Sequence, residues 1–76
     1  MRKNKLTNIA NTVLLREFIK RSGISLTNVA RELNMTYVTL NSKMKGDFEF
    51  TLAEALKIKK ILQLTQEEWN AVFDEE

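Results

Sequence analysis

Four times along this chain an apolar residue precedes a serine or threonine, and a second apolar residue follows four positions after the hydroxyl. The sets are Ile24-Ser25 with Val29, Met35-Thr36 with Leu40, Phe50-Thr51 with Ala55, and Leu64-Thr65 with Trp69. This pattern marks the beginning of a helix: the hydroxyl oxygen accepts from free backbone N–H groups of the first turn, and the flanking apolar pair clamps the angle at which the chain arrives. Glu54 and Glu68 sit at the third helical position after Thr51 and Thr65, which completes two capping boxes. Proline is absent and no stretch alternates apolar with polar residues, so nothing competes with helix. The spacing predicts helices over about residues 12–21, 26–33, 37–45, 52–62 and 66–73. Leu6, Ile9, Ala10 and Val13 keep a helical spacing that allows an earlier start to the first, and Gly23 and Gly46 stand where helices end.

The expected fold class is therefore all-α, a compact five-helix bundle. At 76 residues the chain makes one domain with a thin core. It has no cysteine and no histidine, so neither a disulfide nor the usual structural metal site is expected to help it fold. Packing must come from apolar side chains, which are 43% of the residues. Helical spacing nominates Leu15, Phe18, Ile19, Val29, Ala30, Leu33, Leu40, Met44, Leu52, Leu56, Leu62 and Trp69 as the core. Residues 1–11 read as a flexible basic arm, residues 12–73 as the folded domain and residues 74–76 as an acidic tail. No run has the apolar length of a signal peptide or a membrane span, so a cytoplasmic protein without membrane contact is expected.

Charge is unevenly placed. Residues 1–46 hold nine Lys/Arg against two Asp/Glu, net +7, whereas residues 47–76 hold three against eight, net −5. One part of the molecule is expected to attract polyanions and the other to repel them.

The most informative stretch is the second and third helices. Only Asn34, Met35 and Thr36 separate them, which forces a sharp corner. Ala30 lies where two helices would cross, and a larger side chain would push them apart. Asparagine is, after glycine, the residue that best tolerates the left-handed backbone of such a corner, and Asn34 occupies it. A small residue, a left-handed corner four residues on and an apolar residue six after that describe a helix-turn-helix. Residues 23–46, GISLTNVARELNMTYVTLNSKMKG, resemble the lambda-repressor-like and Cro-like family of phage and bacterial transcriptional regulators, with Ala30, Leu33, Leu40 and Gly46 in register. The continuation Phe50-Thr51-Leu52-Ala53-Glu54-Ala55, then Ile58, Ile61 and Leu62, looks like the fourth helix of small phage members. Leu26 stands where many members have a phosphate-binding glutamine, and Asn34 where glycine is usual.

The resemblance implies sequence-specific binding of double-stranded DNA, with helix 37–45 in the major groove, by a regulator of the repressor or Cro type. With Leu40 and Met44 inward and about 100° per residue, Val38 and Ser42 point most directly outward, flanked by Asn41 and Lys45. Candidate base contacts are Tyr37, Val38, Asn41 and Ser42. An asparagine amide pairs with adenine, a hydroxyl bonds to several bases, and valine packs on a thymine methyl. Candidate phosphate contacts are Lys43 and Lys45 together with Ser25, Thr27 and Asn28 at the start of the second helix. Arg2, Lys3 and Lys5 are candidate arm contacts. One such domain reads few base pairs, so a homodimer on DNA is expected, with Trp69, Val72 and Phe73 as its candidate contacts.

A competing reading keeps the fold and changes the partner: an antirepressor or other protein-binding module that captures another regulator protein, favoured by Leu26 and the acidic C-terminal third. No enzyme activity and no cofactor is expected, because the chain lacks histidine, cysteine, a phosphate-binding glycine loop and paired carboxylates at a recognisable spacing.

Overall fold

A computed structural model of the chain describes residues 10–73. Among them are five helices and no strands: α1 (Thr12–Ser22), α2 (Leu26–Glu32), α3 (Tyr37–Met44), α4 (Leu52–Leu62) and α5 (Gln66–Val72). The four starts read from a hydroxyl in the sequence all lie at that hydroxyl. Ser25, Thr36, Thr51 and Thr65 each accept from the backbone N–H three residues on, and Glu54 and Glu68 return the bond to the cap backbone. The apolar partners of these caps are buried or packed against the core, Phe50 and Leu64 included. The first helix has a cap of its own: the Asn11 side chain accepts from the Leu14 N–H at 3.0 Å. Its backbone N–H also reaches the Val72 carbonyl at 2.7 Å, and Ala10 packs against the core. The folded unit thus takes in Ala10 and Asn11, which the sequence reading assigned to the arm, while α1 itself begins at Thr12. Arg2, Lys3 and Lys5 and the acidic tail lie outside the described residues.

Helix ends follow a second local rule. Gly23, Asn34, Gly46 and Gln63 all have positive φ, and each closes a helix. At the corner after α2 the Asn34 N–H donates to the Arg31 carbonyl and the Met35 N–H to the Ala30 carbonyl, both at 3.0 Å. This reciprocal pair satisfies carbonyls that the helix end leaves open and turns the chain sharply into Thr36. The ends of α3 and α4 repeat it, with Asp47 donating to Ser42 and Leu64 to Lys59.

The core is the shared interior of all five helices: Leu15, Ile19, Val29, Ala30, Leu33, Leu40, Met44, Ala55, Ile58, Leu62, Trp69 and Val72, with Phe50, Leu64 and Phe73 from the connections. Helix α2 packs on α3 and α4, and α1 on α4 and α5. Phe73 meets Phe50 edge-on at 5.7 Å between ring centroids and Trp69 at the same distance, while the Trp69 indole N–H donates to the Ala55 carbonyl at 2.9 Å. Ala30 is almost fully buried on α2, which packs on α3.

Three core expectations are corrected. Leu52 and Leu56 are 55% and 48% exposed, and Phe18 is half-buried. Helix α4 carries two overlapping apolar stripes, 52–56 and 55–58–62, and periodicity alone does not choose between them. The structure buries the second, whose small Ala55 lets the Trp69 ring approach the α4 backbone closely enough to hydrogen-bond it. Phe18 lies at the edge of α1, where the Arg21 guanidinium covers its ring at 4.6 Å from the centroid.

Candidate nucleic-acid interface

The outward side of α3 is set by what the inward side must do. Leu40 and Met44 are sealed in the core, at 1% and 2% exposure. That rotation leaves Val38 71% and Tyr37 48% exposed at the start of the helix. The Thr36 hydroxyl caps this start by accepting from the Thr39 N–H and donates to the Thr39 hydroxyl. Lys45 is exposed at the other end, whereas Asn41 and Ser42 are half-buried. Ser42 is less open than helical geometry alone implies because the segment leading to α4 folds back beside it. Val38, Thr39, Ser42 and Lys43 from α3 and Phe48 and Glu49 from that segment line one cleft of about 510 Å³.

Lys43 is the clearest departure among the expected phosphate contacts. Its ammonium donates to Glu54 Oε1 at 2.8 Å and to the Glu49 carbonyl at 3.0 Å, and the ion pair is sheltered, with side chains 12% and 21% exposed. The same Glu54 oxygen accepts from the Thr51 N–H. Lys43 is thereby committed to holding the α3–α4 connection. A backbone phosphate would have to break this arrangement to reach its charge. Lys45 has no such tie on the described surface and keeps its candidacy.

Helix α2 presents a different picture at its start. The Ser25 hydroxyl is engaged as the cap of Asn28, and the Asn28 amide oxygen accepts from Arg31 at 2.8 Å. Thr27 is exposed. Leu26 packs against the core and is half-buried, so its side chain has a structural use.

Trp69, Val72 and Phe73 require correction as dimer contacts. They are 5%, 0% and 0% exposed, so their side chains are occupied inside the subunit. The apolar surface they were expected to offer does not exist in this fold. A two-fold contact would have to use other residues.

The sequence-level charge asymmetry acquires a structural meaning here. Lys43 and Arg21, from the basic part, pair with Glu54 and Glu68, from the acidic part. Each acid is also the capping-box glutamate of its helix. The Arg21 guanidinium beside Glu68, helped by the Thr65 N–H, holds that carboxyl below its ordinary range. Arg16, Lys20, Arg31 and Lys45 remain as exposed cations on α1, α2 and the end of α3.

Sequence reasoning missed Phe48. It is 63% exposed beside Val38 on the open side of α3. The available signal was its position: it lies between Gly46 and the capped Thr51, and unlike Phe50 it is not the apolar residue preceding a cap. Among the described residues no helix is long and apolar enough to cross a membrane. No protein-family model matches the chain, and no curated protein and no solved structure matches it significantly.

Proposed function

We propose that this protein is a sequence-specific double-stranded DNA-binding regulator of the Cro or repressor type, and that α2, the Asn34 corner and α3 form its helix-turn-helix. The observation that carries this reading is the open side of α3. A short helix, fixed in the core by Leu40 and Met44, holds Tyr37, Val38, Asn41 and Lys45 on or near the surface immediately after a sharp left-handed corner. A helix presented this way fits a major groove about 12 Å wide with its N-terminal residues nearest the bases. In this arrangement Tyr37, Val38, Asn41 and Ser42 read base edges, Lys45 and Thr27 hold phosphates, and Arg31 adds positive charge. Two copies read a two-fold site, since one helix of this length spans few base pairs.

The test is selection of bound sequences from a random duplex pool at fixed salt. The expected result is an enriched palindrome whose half-sites lie about one helical turn apart. On that site, Asn41→Ala is expected to cost about 1–3 kcal/mol and relax preference at one base pair. A pool with no enriched duplex overturns the reading.

One observation favours a second reading, the antirepressor. Asp47 is exposed in the segment that lines the α3 cleft, and an acid there opposes phosphates while suiting a basic protein surface. Under that reading the selection fails, and a partner regulator is bound through the same side.

A further inference from the structure

We infer that Val38 and Phe48 together form an apolar clamp for the C5 methyl group of thymine. The inference rests on the DNA reading above and deepens it by naming the base feature that the α3 cleft takes.

The argument begins with what the fold does not need. Val38 and Phe48 are among the most exposed large apolar side chains in the described molecule, yet they line the same cleft from two different elements. Single exposed apolar residues are ordinary, but a pair converging on one concavity is a surface shaped for an apolar group. The polar members of the lining narrow the choice of group. Among the described residues of the lining Lys43 is the one cation, and it is engaged by Glu54 and by the Glu49 carbonyl. The described lining therefore offers a phosphate no uncommitted positive charge. Its apolar walls favour a neutral, apolar group, and Thr39 and Ser42 keep its lining compatible with a hydrated base edge.

Duplex DNA displays one such group in the major groove. Adenine, guanine and cytosine present hydrogen-bond donors and acceptors there, whereas thymine adds a methyl group. Val38 is the second residue of α3, in the part of a recognition helix that comes nearest the bases. Phe48 follows α3 and lines the same cleft from a second element, so in the inferred complex it meets a methyl seated beside Val38 from another side. Phe48 is then a specificity-determining residue supplied by the connection to α4 rather than by the helix that reads the groove.

The test uses the full chain and the duplex selected from the random pool. Each thymine is replaced in turn by deoxyuridine, which removes the methyl and leaves the pairing unchanged. The parent is expected to lose about three- to fivefold in affinity at one thymine per half-site, the equivalent of about one buried methyl group. Val38→Ala and Phe48→Ala are expected to bind more weakly and to lose most of that difference between thymine and uracil. Both side chains are exposed, so both variants should melt near the parent temperature, which is measured alongside. If no thymine is sensitive to loss of its methyl, or if the sensitivity persists in full in both variants, the clamp is wrong while the DNA reading stands. If the pool yields no bound duplex, the DNA reading fails and the clamp falls with it.

Discussion

Helices α3 and α5 differ by one residue in length, both start at a capping threonine, and both follow a left-handed residue. They dispose of their apolar side chains in opposite ways. In α5 and its end, Trp69, Val72 and Phe73 are all interior, the indole N–H is satisfied by the Ala55 carbonyl, and the three rings of Phe50, Phe73 and Trp69 meet. In α3, Leu40 and Met44 are interior, but Tyr37 and Val38 stay in solvent with Phe48 beside them. A helix of seven or eight residues is too short to hold itself together in water and depends on its packed face. The packed face of α5 takes all of its large apolar residues. That of α3 takes only part, and the remainder is surface that stability does not explain. The difference separates a helix whose large apolar residues all enter the core from one that the core anchors while part of its apolar surface stays outside.

Substitutions can break that contrast, and the largest effect is expected in α5. Trp69→Ala should destabilise by about 3–5 kcal/mol through the cavity it leaves and the loss of its hydrogen bond. Total stability for a chain of this length is about 4–11 kcal/mol, so the variant should be partly or wholly unfolded under chemical denaturation conditions the parent withstands. Val38→Ala on α3 should shift the same curve by no more than about 0.5 kcal/mol. Equal losses at the two positions would mean that α3 serves the core as fully as α5 does.

A somewhat smaller effect tests how α3 is anchored. Ala30→Leu should force α2 and α3 apart and cost about 1–3 kcal/mol by overpacking. A melting temperature unchanged from the parent would show that the two helices do not cross tightly at Ala30.

The two lysines at the end of α3 sharpen the comparison within one helix. Lys43→Ala should cost stability, about 1 kcal/mol or less because the pair keeps some solvent access, and leave the salt dependence of duplex binding nearly unchanged. Lys45→Ala should leave stability alone and make the logarithmic salt slope shallower by about one unit. The reverse assignment, read from binding at several salt concentrations, would return Lys43 to the phosphate contacts.

The smallest effect concerns the tie between α5 and α1. Arg21 keeps the Glu68 carboxyl ionised below its ordinary range, so folding is favoured above the unfolded glutamate pKa of roughly 4.3 and that contribution is lost as pH falls through the lower folded value. Arg21→Ala should reduce the loss of stability on acidification in that window. The pair is exposed to solvent and salt, so the change should be slight and should shrink further at high ionic strength. A pH profile identical in parent and variant would show that the pair contributes nothing.

Local rules carried much of this fold. Ser25, Thr36, Thr51 and Thr65 cap helices because each hydroxyl needs a backbone N–H only three residues away, and no distant part of the chain intervenes. The same holds for Glu54 and Glu68 in their capping boxes, and for Gly23, Asn34 and Gly46, whose backbone freedom suits a left-handed position. Gln63 takes that conformation too, and nothing in a glutamine announces it. The burial of Leu64 immediately after it and the reciprocal bonds to Lys59 and Lys60 hold it there. Helix placement and the outward rotation of Val38 were thus legible from the sequence, because short-range hydrogen bonds and a 3.6-residue repeat determine them. Only the tertiary structure decided which stripe of α4 faces inward, that Val72 and Phe73 join Trp69 in the core and leave no apolar surface on α5, that Lys43 is held by Glu54, and that Phe48 stands beside Val38. Each of these depends on which elements meet across the core, and periodicity within one helix is silent about what lies opposite it.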